Sequence, residues 1–188
     1  MKVLIIDNYD SFTYTIAFYL KELDVKYKII KNDKFKHPKK LKKYNFTHLI
    51  ISPGPNSPKE SKLSLKAIKY FKKDKKILGI CLGHQCIAYV FGGKISKLPN
   101  PTHGKIKTID FIPNPLFKNI KTNFQVCLYH SLYVSDIGKK CKILAKSKDG
   151  IIMALKHKKY DIYGVQFHPE AILSQNGKKL LRNFTLLD

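Results

Sequence analysis

Two glycines bracket a cysteine in Gly79-Ile80-Cys81-Leu82-Gly83, directly after the apolar pair Ile77-Leu78. That spacing fits a strand that passes into a helix through one sharp turn, with the cysteine at the apex. The glycines allow the tight, close-packed backbone on either side. The helix N-terminus beyond favours an anionic sulfur at the apex. The backbone N–H of Leu82 points to where negative charge would develop on a carbonyl attacked there. A buried cysteine on a glycine-bounded turn would be written with the same letters, so the motif needs partners.

The rest of the first half supplies the matching frame. Lys2–Asp7, Val25–Ile30, Thr47–Ser52 and Lys76–Ile80 read as strands. Ser11–Leu23, Ser61–Phe71 and Gly83–Phe91 read as helices, the first with an apolar stripe of Phe12, Ile16, Tyr19, Leu20 and Leu23. Alternation of this kind predicts an α/β fold, a central mostly parallel sheet flanked by helices. The second half is richer in short β-like runs, Gln125–Leu128, Lys142–Ser147, Ile151–Lys156 and Ile162–Phe167, followed by a helix over Gly177–Leu187. Residues 1–188 read as one domain, with no repeat and no linker. Sites in such sheets lie beyond the carboxyl ends of the strands, which here means Asp7–Ser11, Ser52–Pro55, Cys81 and Phe167–Glu170.

Composition excludes some functions. No apolar run approaches the roughly 20 residues of a spanning helix, so no membrane partner is expected. The short apolar run Val3–Ile6 meets Asp7 and lacks a cleavage site, which reads as a buried strand of an intracellular chain. The net charge of +23 invites a nucleic-acid reading. However, Arg182 is the sole arginine among 36 basic residues, and lysine lacks the fork that reads phosphates and bases. The lysines are also spread along the whole chain, so no specific nucleic-acid partner is expected. Clusters such as Lys39–Lys43 and Lys72–Lys76 read as solvated helix ends. None of Cys81, Cys86, Cys127 and Cys141 forms a C-x-x-C pair, so neither zinc nor a disulfide framework is implied. Cys86, Cys127 and Cys141 read as small buried hydrophobes.

Two further segments could complete a site around Cys81. In Val165-Gln166-Phe167-His168-Pro169-Glu170, the proline holds His168 in an extended conformation. Residues two apart in an extended segment share a side, so Glu170 could orient an imidazole that faces the thiol. In Ser52-Pro53-Gly54-Pro55-Asn56, the prolines fix a turn and Gly54 leaves its N–H free as a second oxyanion donor.

Together these pieces resemble the class I (triad) glutamine amidotransferases, a flavodoxin-like family, over nearly the whole chain. The resemblance is closest to the amidotransferase subunits of anthranilate synthase and aminodeoxychorismate synthase. It rests on Asp7-Asn8-Tyr9-Asp10-Ser11-Phe12-Thr13, the Cys81 elbow, His103-Gly104-Lys105, Tyr129-His130-Ser131-Leu132 and Gly164–Glu170. It implies Cys81 as nucleophile, His168 as base and Glu170 as its partner, with Gly54 and Leu82 as oxyanion donors. It implies that Gly54, Pro55, Asn56, Gln85, Ser131 and Leu132 hold L-glutamine. It places Asn8–Thr13 and His103–Lys105 near a chorismate-binding synthase subunit that receives the ammonia, for tryptophan or folate synthesis. No metal and no cofactor is implied in this chain, and Mg2+ is expected only in the partner. The resemblance implies a cytoplasmic chain, or a plastid one if the gene is organellar.

Two positions depart from the pattern. Asn56 stands where the family usually has a second glycine, and asparagine tolerates left-handed backbone better than most residues. Ala171 stands where a serine often follows the glutamate, removing a supporting hydroxyl. A free-standing γ-glutamyl hydrolase and a degenerate, non-catalytic regulatory subunit are the competing readings. The Asp7–Thr13 segment speaks against the first, and the presence of Cys81, His168 and Glu170 against the second.

Overall fold

A computed structural model describes residues 2–187. Nine strands form one sheet in the order β2-β1-β3-β4-β9-β8-β7-β5-β6. β1 (Val3–Asp7), β2 (Tyr27–Lys31), β3 (His48–Ile51), β4 (Lys76–Ile80) and β9 (Ile162–Val165) run parallel. β8 (Ile152–His157), β7 (Cys141–Ser147), β5 (Lys94–Phe111) and β6 (Phe124–Asp136) extend the sheet antiparallel. The β-rich second half is thus an extension of the parallel sheet, sharing its hydrogen bonds.

Successive residues of the inner strands feed opposite faces, as the period of a strand requires. Val3, Ile5, Ile50, Leu78 and Ile80 pack with Ile16 and Leu20 of α1 (Phe12–Glu22) and Leu180, Leu181 and Phe184 of α4 (Gly177–Thr185). Leu4, Ile6, Leu49, Ile51 and Ile77 pack with Leu63, Ala67, Ile68 and Phe71 of α2 (Lys62–Phe71) and Cys86 and Ile87 of α3 (Leu82–Val90). Both faces are covered, which is why β1, β3 and β4 read as continuous apolar runs. No described helix is long and apolar enough to cross a membrane.

Two differences from the sequence-based expectation matter. β5 was not expected, and β6 was expected only as far as Leu128. Pro99, Pro101 and Gly104 punctuate β5, which is largely exposed and carries no apolar alternation. The strand survives because its ladder jumps there: Lys97 pairs with Leu132 and Thr102 with His130, leaving residues 98–101 opposite Ser131. The lysine clusters also differ in part. Lys39–Lys43 lie within a 3-10 segment, Pro38–Tyr44, while Lys72–Lys76 run from the end of α2 into β4.

Candidate active site

Cys81 sits between β4 and α3 at φ +51° and ψ −102°, a conformation that non-glycine residues rarely adopt. Its N–H donates to the Val165 carbonyl at 2.8 Å, and its carbonyl accepts from the Gln85 N–H at 3.1 Å to start the helix. Packing explains the bracketing glycines. A Cβ on Gly79 would lie 2.3 Å from the Gly83 carbonyl carbon, and one on Gly83 would lie 2.3 Å from the Ile51 carbonyl oxygen. The turn is therefore pressed against the end of β3.

The neighbouring strand brings the imidazole. Ile80 of β4 and Val165 of β9 are register partners, so the residues that follow each strand emerge side by side. His168 is 2% exposed, donates its N–H to the Cys127 carbonyl at 3.0 Å, and has Nδ1 2.7 Å from Glu170 Oε1. The pairing is as expected, but its cause differs from the extended alternation read in the sequence. Pro169 and Glu170 form a turn, closed by the Ala171 N–H donating to the His168 carbonyl at 3.2 Å. Ser174 Oγ also donates to that carbonyl at 2.6 Å and accepts from the Cys127 N–H at 2.9 Å, clamping the turn to β6.

Burial works against a charged imidazole at His168. The negative charge of the nearby Cys81 sulfur, together with Glu170, outweighs it and holds His168 well above 6.5, while His168 Nε2 has no hydrogen-bond partner among the described residues. Burial pushes the Glu170 carboxyl up, opposed by its contact with His168. Glu170 Oε2 is buried without a partner among the described residues, and Ala171 has no hydroxyl to offer it. Cys86 and Cys141 are ordinary by comparison, their thiols pushed up by burial to about 12 and about 11.

A cavity of about 190 Å³ opens beside Cys81 and Leu82. Gly54, Pro55 and Asn56 form one wall, and Gln85, Ser131 and Leu132 another, so every residue expected to hold a substrate lines it. Tyr129 and His130 line it too. Among the described residues the backbone N–H groups of Gly54 and Leu82 have no acceptor. Asn56 is at φ +66°, so asparagine does hold the left-handed turn. The ladder jump in β5–β6 leaves the Leu132 carbonyl to accept from Gln85 Nε2 at 2.9 Å and from His130 Nδ1 at 2.8 Å. Burial pulls His130 down to about 4, so it is neutral near pH 7.

The opening segment is largely a brace for this cavity. Buried Asp7 accepts from the Tyr9 N–H, Thr13 Oγ1 and Lys31 Nζ at 2.8, 2.9 and 2.6 Å. Asn8 donates through its N–H to Ser52 Oγ and through Nδ2 to the Ser52 carbonyl, at 2.8 and 2.9 Å. A Cβ on Gly54 would lie 2.6 Å from Asn8 Cβ, so the two loops are in close contact. Asn8 and Thr13 are buried, whereas Tyr9 and Tyr14 face outward. Phe12 sets its ring at a tilt 4.9 Å from His168 and 5.1 Å from Tyr129. His103 meets Tyr129 edge-on at 5.0 Å.

Gln166, to which no role is assigned from sequence, is fully buried and donates from Nε2 to Cys81 Sγ at 3.6 Å. The available signal was a polar residue directly after a buried strand that pairs with the elbow strand. Among the described residues no group of three or more His, Cys, Asp or Glu is placed to hold a metal ion.

A family model for class-I glutamine amidotransferases matches residues 4–187. The chain is 45% identical over 185 residues to an anthranilate synthase component 2 of Cyanophora paradoxa, with 97% of each chain covered. It is 42% identical over 184 residues to the aminodeoxychorismate/anthranilate synthase component 2 of Bacillus subtilis (strain 168), covering 97% of this chain and 94% of that one. A solved structure from Thermoplasma acidophilum superposes with a TM-score of 0.87 at 28% identity, covering 98% of this chain and 92% of that one. A glutamine amidotransferase from Thermotoga maritima shares the fold at a TM-score of 0.79 and 17% identity, covering 98% and 96%.

Proposed function

Because the chain belongs to the class-I glutamine amidotransferases, we propose that it releases ammonia from L-glutamine at Cys81 and passes it to a chorismate-using synthase subunit. One observation carries the chemistry. The strained Cys81 borders a cavity with two unengaged backbone donors, and the β4–β9 register brings the His168–Glu170 pair beside it, close enough for its sulfur to raise His168.

In this reading Cys81 gives its proton to His168 Nε2, and the sulfur attacks the side-chain amide carbon of glutamine. The Leu82 and Gly54 N–H groups hold the oxyanion. As the C–N bond breaks, His168 returns the proton to the nitrogen and ammonia leaves a glutamyl thioester. His168 then takes a proton from water, whose oxygen attacks the thioester. The C–S bond breaks, His168 returns that proton to the departing Cys81 sulfur, and glutamate leaves. Both Gln85 Nε2 protons are engaged, leaving Oε1 to accept from the α-ammonium group of the substrate. Each step draws on side chains and backbone alone, so this subunit is assigned no cofactor and Mg2+ is reserved for the synthase subunit.

The partner assignment rests on the names of relatives, which are components of anthranilate and aminodeoxychorismate synthases. The product is therefore anthranilate or 4-amino-4-deoxychorismate, made by a heteromeric complex. The test is a Cys81→Ala variant assembled with each synthase subunit. Synthesis from chorismate and glutamine should vanish while synthesis from chorismate and ammonium salt survives. Loss of both would overturn the division of labour.

A further inference from the structure

We propose that Gln166 is a further catalytic residue: its side-chain amide donates directly to the Cys81 sulfur and stabilises the anion that attacks. This rests on the glutaminase reading above and adds a donor to the nucleophile itself.

Hydrogen-bond chemistry fixes which end of the amide faces the sulfur. Oxygen and nitrogen of a side-chain amide are distinguished by their partners. The Leu132 carbonyl can only accept, so the group 2.9 Å from it must be Gln85 Nε2. That nitrogen can only donate, so the atom of Gln166 lying 3.2 Å away must be Oε1. Gln166 Nε2 is then turned toward Cys81 Sγ, 3.6 Å away. The relay runs from a backbone carbonyl in the cavity wall, through Gln85, to the reacting sulfur.

Position and chemistry suit the task. Cys81 is 5% exposed and Gln166 fully buried, so little water reaches the sulfur to solvate its charge. A primary amide supplies a donor without competing for the proton that His168 must receive. Backbone placement is firm as well, since the Gln166 N–H donates to the Met153 carbonyl at 2.9 Å in β8. Simple space-filling would need no amide here: an apolar chain of equal length would avoid burying a group that requires three aligned partners.

The test measures alkylation of Cys81 by iodoacetamide against pH, read as the mass of the Cys81 peptide, in wild type, Gln166→Met and Gln166→Glu. Gln166→Met should raise the midpoint by about one pH unit, the effect of losing a hydrogen bond to a charged group. In the synthase complex it should lower glutaminase kcat about tenfold. Gln166→Glu should raise the midpoint further, because its carboxylate would repel the sulfur. Variants that melt like wild type and keep its midpoint would overturn the inference. So would a wild-type protein in which the Gln166 side-chain amide resonances stay fixed while Cys81 ionises, a measurement that needs no variant to fold. A wild-type Cys81 that neither alkylates readily nor supports glutamine hydrolysis would instead remove the functional reading.

Discussion

His168 Nδ1 lies 2.7 Å from Glu170 Oε1, while Glu170 Oε2, in the same buried turn, has no partner among the described residues. The carboxylate is therefore committed to the imidazole. Removing its charge lowers the proton affinity that Cys81 and Glu170 together confer on His168. In Glu170→Gln the alkaline limb of the kcat profile should move to lower pH, and kcat should fall on the order of a hundredfold. Steady-state glutaminase assays of the complex across pH check both.

The elbow glycines have backbone against them. A methyl on Gly83 would meet the Ile51 carbonyl at 2.3 Å, and a main-chain atom cannot swing aside as a side chain can. Gly83→Ala should cost about 3 kcal/mol and abolish rapid alkylation of Cys81. Urea unfolding and iodoacetamide kinetics measure the two effects.

Asn56 holds φ +66° in the cavity wall. Asn56→Gly should leave stability and KM for glutamine nearly unchanged, since glycine enters that region freely. Asn56→Ala should lose about 1 kcal/mol and raise KM, because alanine tolerates left-handed backbone less well than asparagine. An unchanged KM in Asn56→Ala would separate the turn from substrate binding.

Acid should unfold the protein through its buried neutral histidines. Burial, the largest cause in each, takes His48 and His130 down to about 4 and His84 to about 3, from 6.5. Above pH 6.5 these groups are neutral in both states and contribute no pH dependence. Below it the unfolded chain binds protons that the folded one refuses, so stability falls with pH until the folded groups titrate. Near pH 5 the slope should approach about 4 kcal/mol per pH unit. Urea midpoints between pH 7 and pH 4.5 test it, and His84→Gln should flatten the slope by about one third.

What could be read from the letters follows from how each element is buried. β1, β3 and β4 are covered on both faces and announce themselves as apolar runs; β5 is exposed, broken by Pro99 and Pro101, and hidden from any periodicity. Cys81, His168 and Glu170 were legible because their chemistry is in their identities. The turn at Pro169 was not, since a proline after His168 is compatible with both an extended exit and a tight reversal. Gln166 was not legible as a donor to the thiol. Its role depends on amide orientations set by Leu132 and Gln85, which lie far off in the chain.

The last strand, β9, lies between β4 and β8 in the sheet. During synthesis, the cysteine elbow leaves the ribosome long before the strand that must slot in beside it. Until then Cys81 lacks the Val165 carbonyl, the Gln166 amide and the His168 imidazole, all of which arrive with or just after β9. A chain that stops short of β9 therefore lacks this whole arrangement around Cys81. The same order makes closing the middle of the sheet a late, long-range step in folding, in which the site and the fold are completed together.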